Sequence, residues 1–171
     1  MPLMQGKYTI LTVTLAIVSS PDIAKTIDAY LEEHLGLTHH ELDPEEFYDI
    51  SIFVDCMAIY CESFPDPTKA VIELGKRIYP TNKWTGALPA HLKTPLDFIV
   101  FEAEGFKNAF SADVVQRKIL ETTERSVTMY APSPGYVKEM MIGVWLGILE
   151  MIDINSGQVE EIAIDTWRIS W

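Results

Sequence analysis

Apolar residues recur at helical spacing along much of the chain. Their positions follow the i, i+3, i+4, i+7 rule of an amphipathic helix, whose apolar stripe faces a core. Gly36 directly follows the first stripe and predicts a left-handed stop there. The stripes predict four helices, through Ile23, Ile27, Tyr30, Leu31 and Leu35; Phe47, Ile50, Val54, Met57, Ala58 and Cys61; Val71, Leu74 and Ile78; and Leu96, Ile99, Val100, Ala103 and Phe106.

Five dipeptides place an N-cap residue directly before proline, and each predicts the start of a helix. The cap oxygen accepts a bond from a free backbone N–H, and proline needs no donor at the first helical position. Glu46 and Asp97 stand three residues beyond their caps, where a capping box places its acid. The last of the five predicts a helix from Pro134 to about Met151. The dipeptides are Ser20-Pro21, Asp43-Pro44, Asp66-Pro67, Thr94-Pro95 and Ser133-Pro134.

The run Tyr8–Val18 is rich in threonine and β-branched residues, so we predict a strand there. Its inward face would carry Leu11, Val13, Leu15 and Ile17. The alternative is a targeting segment after Lys7, which is disfavoured because no small-x-small cleavage site follows cleanly.

Further strands are predicted near the C-terminus, at Ser126–Ala131 and over Gln158–Trp171, which alternates as one strand or two. A short helix is expected between Ala112 and Thr122, and a connecting loop over Lys83–Lys93. No repeat or linker divides the chain. We therefore predict one α+β domain over residues 1–171, with an N-terminal helical half packed on a small C-terminal antiparallel sheet.

Composition supports a folded domain and restricts its partners. Of 171 residues, 48% are hydrophobic and 22% charged, which predicts a packed core. A net charge of -12 argues against binding nucleic acid or an anionic membrane surface. The apolar segment Met140–Ile152 is too short to span a bilayer. Two cysteines make no disulfide framework, so we expect a cytoplasmic protein.

No metal site is predicted from the histidines. His34, His39 and His40 stand close together in sequence, but Gly36 interrupts the helix that would space them as ligands. We interpret them as part of an exposed polar loop. His91 stands alone in the predicted loop before the fourth helix.

No reaction is predicted either. Cys56 and Cys61 lack metal-like spacing on a buried helix and are interpreted as core residues. Glu102 and Glu104 are interpreted as a solvated helix face. The chain contains no Gly-rich phosphate loop, nucleophile elbow or H-E-x-x-H motif. The sequence therefore favours a non-catalytic function.

Gly143 and Gly147 stand four residues apart on the last predicted helix. Each weakens a helix by about 1 kcal/mol relative to alanine, so a packing reason is expected. Close contact with another helix or a sheet is the favoured interpretation, and a pocket wall is the alternative.

Taken in order, four segments resemble one superfamily, which contains the haem-nitric-oxide/oxygen-binding (H-NOX) domains and the 4-vinyl-reductase-type small-molecule-binding domains. The resemblance spans most of the chain from Asp43 onward. It implies a helical half, a C-terminal sheet and a ligand pocket between them. The segments are Phe47–Val54, Val71–Arg77, Leu96–Phe106 and Gly143–Glu150 with the terminal strand.

The departures from that pattern concern the cofactor. Phe106 falls where H-NOX domains place the haem-ligating histidine. Their propionate-binding Tyr-x-Ser-x-Arg is represented by Tyr130-Ala131-Pro132-Ser133-Pro134, which lacks the arginine. The tail Asp165–Trp171 also lacks the zinc-binding cysteines of many vinyl-reductase-type domains. No cofactor is therefore expected.

The resemblance implies a non-catalytic sensory or signalling domain that binds an apolar or tetrapyrrole-like small molecule without haem. Aromatic and methionine side chains would form an adaptable wall, with two hydroxyls to orient the ligand. The same residues would otherwise be ordinary core. The predicted pocket residues are Phe106, Tyr130, Tyr136, Met141 and Trp145.

Two alternatives stay open. The first is a haem-based gas sensor with a relocated axial ligand, for which His91 is the candidate. The second is a ligand-free interaction module that engages a signalling protein through an exposed Trp84 or Trp171.

Overall fold

Seven α-helices, one 3-10 turn and six short strands make up the computed structural model, which describes residues 2–171. The helices are α1 (Gly6–Ser19), α2 (Ala24–Leu35), α3 (Ile50–Glu62), α4 (Pro67–Lys76), α5 (Ile78–Trp84), α6 (Pro95–Ala109) and α7 (Glu139–Met151), and the 3-10 turn Pro21–Ile23 precedes α2. The strands are β1 (Leu3–Gln5), β2 (Phe47–Asp49), β3 (Lys118–Thr122), β4 (Ser126–Tyr130), β5 (Gln158–Ala163) and β6 (Thr166–Ser170).

The strands form two antiparallel sheets. β1 pairs with β2, and the other four lie in the order β3-β4-β6-β5. The alternating tail is thus a hairpin of two strands, which turns at Asp165 with a φ of 55°. The predicted α+β arrangement of helices and a C-terminal antiparallel sheet is confirmed. The small sheet formed by β1 and β2 was not predicted from the sequence.

Helix α7 joins the helical half to the larger sheet through two opposite faces. Gly143 and Gly147 face α4, so closely that a Cβ on either would collide with a backbone carbonyl there. The opposite face buries its large side chains against Trp167 and Ile169 of β6. Successive helical residues turn by about 100°, which separates the two faces. The prediction that the two glycines pack closely against another helix is confirmed. The large side chains on the opposite face of α7 are Trp145, Ile148 and Leu149.

The strand predicted over Tyr8–Val18 is wrong, because this segment is helix α1. Its buried positions include Thr9, Thr12, Val13 and Ala16, which follow helical rather than alternating spacing. The Thr12 hydroxyl donates to the carbonyl of Tyr8 at 2.9 Å, so the helix satisfies a polar side chain that would otherwise disfavour it. Tertiary burial outweighs the β propensity of the run.

Two predicted helix starts match the structure closely. Asp66 accepts a bond from the Lys69 N–H at 3.0 Å at the start of α4. Thr94 and Asp97 form a full capping box at the start of α6. Both caps are local hydrogen bonds between near neighbours, which is why sequence spacing predicts them.

Other predicted starts are wrong. Asp43-Pro44 begins no helix, because Asp49 caps α3 instead by accepting from the Ser51 N–H at 2.9 Å. Ser133-Pro134 lies in a loop, and α7 starts only at Glu139. The short helix expected between Ala112 and Thr122 is replaced by β3, which pairs with β4. Ser20-Pro21 opens the 3-10 turn before α2 rather than an α-helix.

Removing the capping hydroxyl of α6 is expected to lower stability. In Thr94→Ala, the Asp97 N–H loses its acceptor at 3.2 Å, which lowers the free energy of unfolding by about 1 kcal/mol. Urea denaturation measures the loss. Thr68→Ala, at an exposed position in the first turn of α4, serves as the control and should change stability by less than about 0.5 kcal/mol. Equal effects of the two changes would contradict the capping role.

Within residues 2–171, none of the helices has both the length and the apolar character needed to cross a bilayer.

Candidate ligand-binding cavity

A cavity of about 530 Å³ lies between helices α1, α3, α5, α6 and α7. Its volume falls within the range of about 300–1,000 Å³ that is typical of small-molecule sites. Lys7 of α1 and Ala87 after α5 line it and are also exposed, so the cavity opens to solvent between these segments.

Aromatic and methionine side chains make up ten of the 22 residues that line the cavity. Phe106 of α6 and Phe110, which directly follows that helix, have ring centres 4.5 Å apart and ring planes tilted by 40°. The ring of Phe53 in α3 packs edge-to-face with the ring of Tyr136, and their centres lie 5.7 Å apart. Flexible thioethers from Met140 and Met141 complete the wall, and such side chains adapt to ligands of different shape.

The loop before α7 places the Tyr136 side chain in the cavity wall. Ser133 donates its hydroxyl to the carbonyl of Tyr136, and Gly135 takes a φ of 138° that favours glycine. Burial raises the pKa of the Tyr136 phenol, which therefore stays neutral. The Ser133-Pro134 dipeptide, predicted to cap a helix, thus lies in a loop that contributes to the cavity wall.

A buried ion pair forms one end of the cavity. Arg117, immediately before β3, pairs through Nη1 with Glu102 of α6, and their side chains are only 3% and 9% exposed. The Arg117 guanidinium carbon lies 4.1 Å from the ring centre of Phe106. Trp145 donates its indole N–H to the second Glu102 oxygen at 3.2 Å. A largely apolar wall thus contains a charged cluster formed by Arg117, Glu102 and Trp145.

The predicted pocket residues fall into two groups. Phe106, Tyr136 and Met141 line the cavity. Trp145 is fully buried and stands behind the wall, where it binds Glu102. Tyr130 lies at the end of β4, opposite Thr166, and is not among the lining residues within 2–171.

The other candidates lie away from the cavity. His91 is exposed in the loop before α6. The Nδ1 atom of His39 lies 2.6 Å from Oδ1 of Asp28. Cys56 is fully buried in α3, and this burial raises the pKa of its thiol to about 12. Trp84 at the end of α5 is 87% exposed.

Neither member of the ion pair was predicted from the sequence. Glu102 is buried, so its assignment to a solvated face is wrong, whereas Glu104 is exposed. The spacing held a clue, since Glu102 follows Ile99 by three residues and precedes Phe106 by four, on the buried face. Arg117 carried no such clue because its orientation depends on the turn from α6 into β3.

The fold is that of the H-NOX domains. An oxygen-binding H-NOX domain related to soluble guanylate cyclases, solved as its oxygen complex, superposes with a TM-score of 0.66 at 11% identity, covering 97% of this chain and 92% of that one. A second structure superposes with a TM-score of 0.72 at 13% identity, covering 98% of this chain and 100% of that one. It was described in connection with haem redox potential modulated by protein-induced porphyrin distortion. The Fe(II) unliganded H-NOX protein from K. algicida superposes with a TM-score of 0.64 at 16% identity, covering 98% of this chain and 96% of that one.

At these identities the likeness establishes the fold alone. No family model matches the sequence, and no curated protein matches it.

Proposed function

We propose that residues 1–171 form a non-catalytic sensory domain that binds a small molecule in its apolar cavity without haem. The observation that carries this proposal is the 530 Å³ cavity, whose wall is rich in aromatic and methionine side chains and contains one buried ion pair. The oxygen complex of one neighbour supports it, because a protein of this fold holds a small ligand.

Haem independence rests on the groups that line the wall. Phe106 occupies the position that the resemblance assigns to the iron ligand, and Arg117 covers its ring. Among residues 2–171, neither histidine nor cysteine lines the cavity. Burial raises the pKa of Tyr8 and Tyr79, which disfavours phenolate ligation. The lining side chains therefore do not fit the usual mode of haem ligation.

A haem protein with another axial ligand is the second candidate, and the fold favours it because the H-NOX neighbours include an Fe(II) protein. Visible absorption after adding haemin separates the two candidates. The proposal expects no sharp Soret band, whichever residue would ligate the iron. A stable band abolished by His91→Ala would overturn haem independence and support the second candidate.

Filling the cavity is expected to weaken ligand binding. Gly105 lines the cavity, and a Cβ there would meet no atom within 4 Å, so Gly105→Leu places a side chain in open space without a backbone clash. The neutral fluorophore N-phenyl-1-naphthylamine is the probe. Its affinity should fall by at least about tenfold, which corresponds to about 1.4 kcal/mol.

Glu104→Leu is the matched control, because it introduces the same side chain at the exposed neighbouring position. Circular dichroism confirms that both variants are folded. Unchanged probe binding in folded Gly105→Leu, or equal losses in both variants, would contradict binding in this cavity.

A further inference from the structure

The buried pair of Arg117 and Glu102 is unusual in a wall that is mostly apolar. Taking Arg117 and Glu102 out of water costs free energy, and their attraction repays it only when hydrogen bonds satisfy both groups. The hydrogen bonds of each group therefore show whether the pair is complete by itself.

Glu102 is well satisfied. Its Oε1 forms the ion pair with Nη1 of Arg117, and its Oε2 accepts a hydrogen bond from the indole N–H of Trp145 at 3.2 Å. Both carboxylate oxygens thus have a donor from the protein.

Arg117 is not fully satisfied. Its Nη2 reaches the Tyr136 hydroxyl only at 3.5 Å, the outer limit of a hydrogen bond. No acceptor within residues 2–171 takes its Nε hydrogen. Phe106 covers one face of the guanidinium, so a further acceptor must approach near its plane. A planar fork of unused donors matches the geometry of a carboxylate.

The local charge points the same way. Three charged side chains line the cavity within the described residues: Lys7, Glu102 and Arg117. Two cations against one anion leave a positive excess in a chain whose net charge is -12. Because Arg117 is paired with Glu102, this excess comes from Lys7 at the solvent opening, where it would attract an anionic ligand toward the cavity.

We propose that the ligand is an amphipathic carboxylate, whose head accepts hydrogen bonds from Arg117 and whose apolar body lies along Phe110 and Met140. This inference rests on the proposed function, since it names the ligand class of the same cavity. A fatty acid and the propionate of a metal-free tetrapyrrole share this chemistry.

Paired probes test the head group. Isothermal titration calorimetry compares dodecanoate with dodecan-1-ol, and protoporphyrin IX with its dimethyl ester. In the wild-type chain we expect one acid to bind at least about tenfold more tightly than its neutral partner, as for hydrogen bonds to a charged group. The first pair reports a fatty acid and the second a tetrapyrrole.

The double variant Arg117→Met/Glu102→Gln removes both charges while keeping similar side-chain volume, and should bring acid and neutral partner within about twofold. Lys76→Met/Glu150→Gln is the control. It removes an ion pair of 2.9 Å between α4 and α7, outside the cavity wall, and should preserve the preference for the acid.

The outcomes separate the two proposals. Equal binding of acid and neutral partner in both pairs would overturn the carboxylate inference and leave small-molecule binding intact. A preference that survives in the double variant would overturn the role of Arg117. Binding of none of the four probes would contradict the proposed function together with this inference. If the double variant does not fold, the wild-type preference decides.

Discussion

Gly147→Ala is expected to lower the free energy of unfolding by about 1–3 kcal/mol, which is large for one added methyl group. Helix propensity alone predicts the opposite sign, a gain of about 1 kcal/mol. The difference arises because a Cβ at Gly147 would collide with the carbonyl of Lys76. Backbone atoms of α4 cannot move aside by changing rotamer, so the two helices must separate.

Urea denaturation followed by circular dichroism measures this effect. Gly105→Ala is the matched control, since the same change in α6 places its methyl group in open space. We expect that variant to gain stability, up to about 1 kcal/mol. A Gly147→Ala protein as stable as the wild type would show that α4 and α7 are not packed as closely as the structure has them.

Arg117→Met is expected to be the most destabilising change in the cavity, with a loss of about 3–5 kcal/mol at neutral pH. The physical reason is the partner left behind. Glu102 is 9% exposed, and without the guanidinium its charge has only the Trp145 indole for compensation. The loss therefore measures an uncompensated buried carboxylate rather than the net value of the ion pair.

A double-mutant cycle separates these contributions. Adding Glu102→Gln to Arg117→Met removes the second charge, so the double variant should recover to within about 1 kcal/mol of the wild type. The Lys76–Glu150 pair is the control cycle; its side chains are 23% and 41% exposed, and its coupling should stay below about 1 kcal/mol. A loss below about 1 kcal/mol in Arg117→Met would contradict the uncompensated-charge argument.

Features encoded by near neighbours were predictable from the sequence. The caps at Asp66 and Thr94 each join residues three apart, and the stop at Gly36, with its φ of 70°, needs only a glycine. The close packing of Gly143 and Gly147 was also predictable, because two exposed backbone patches on one helix face require a partner.

The errors arose where local patterns are ambiguous. A threonine-rich apolar run is compatible with strand and helix alike, and α1 became helical because its burial by the other helices follows a period of 3.6 rather than 2. Ser133-Pro134 has a helix-start pattern, yet the chain there folds into the loop that presents Tyr136.

The sequence by itself determined the helical stripes, two of the caps, the glycine face of α7 and the resemblance to H-NOX domains. Only the tertiary structure decided that α1 is a helix and that Glu102 meets Arg117 beside Phe106. The physical reason is range. A cap or a stripe depends on residues within a few positions, whereas a buried ion pair depends on how α6, β3 and α7 pack together, which no short segment encodes.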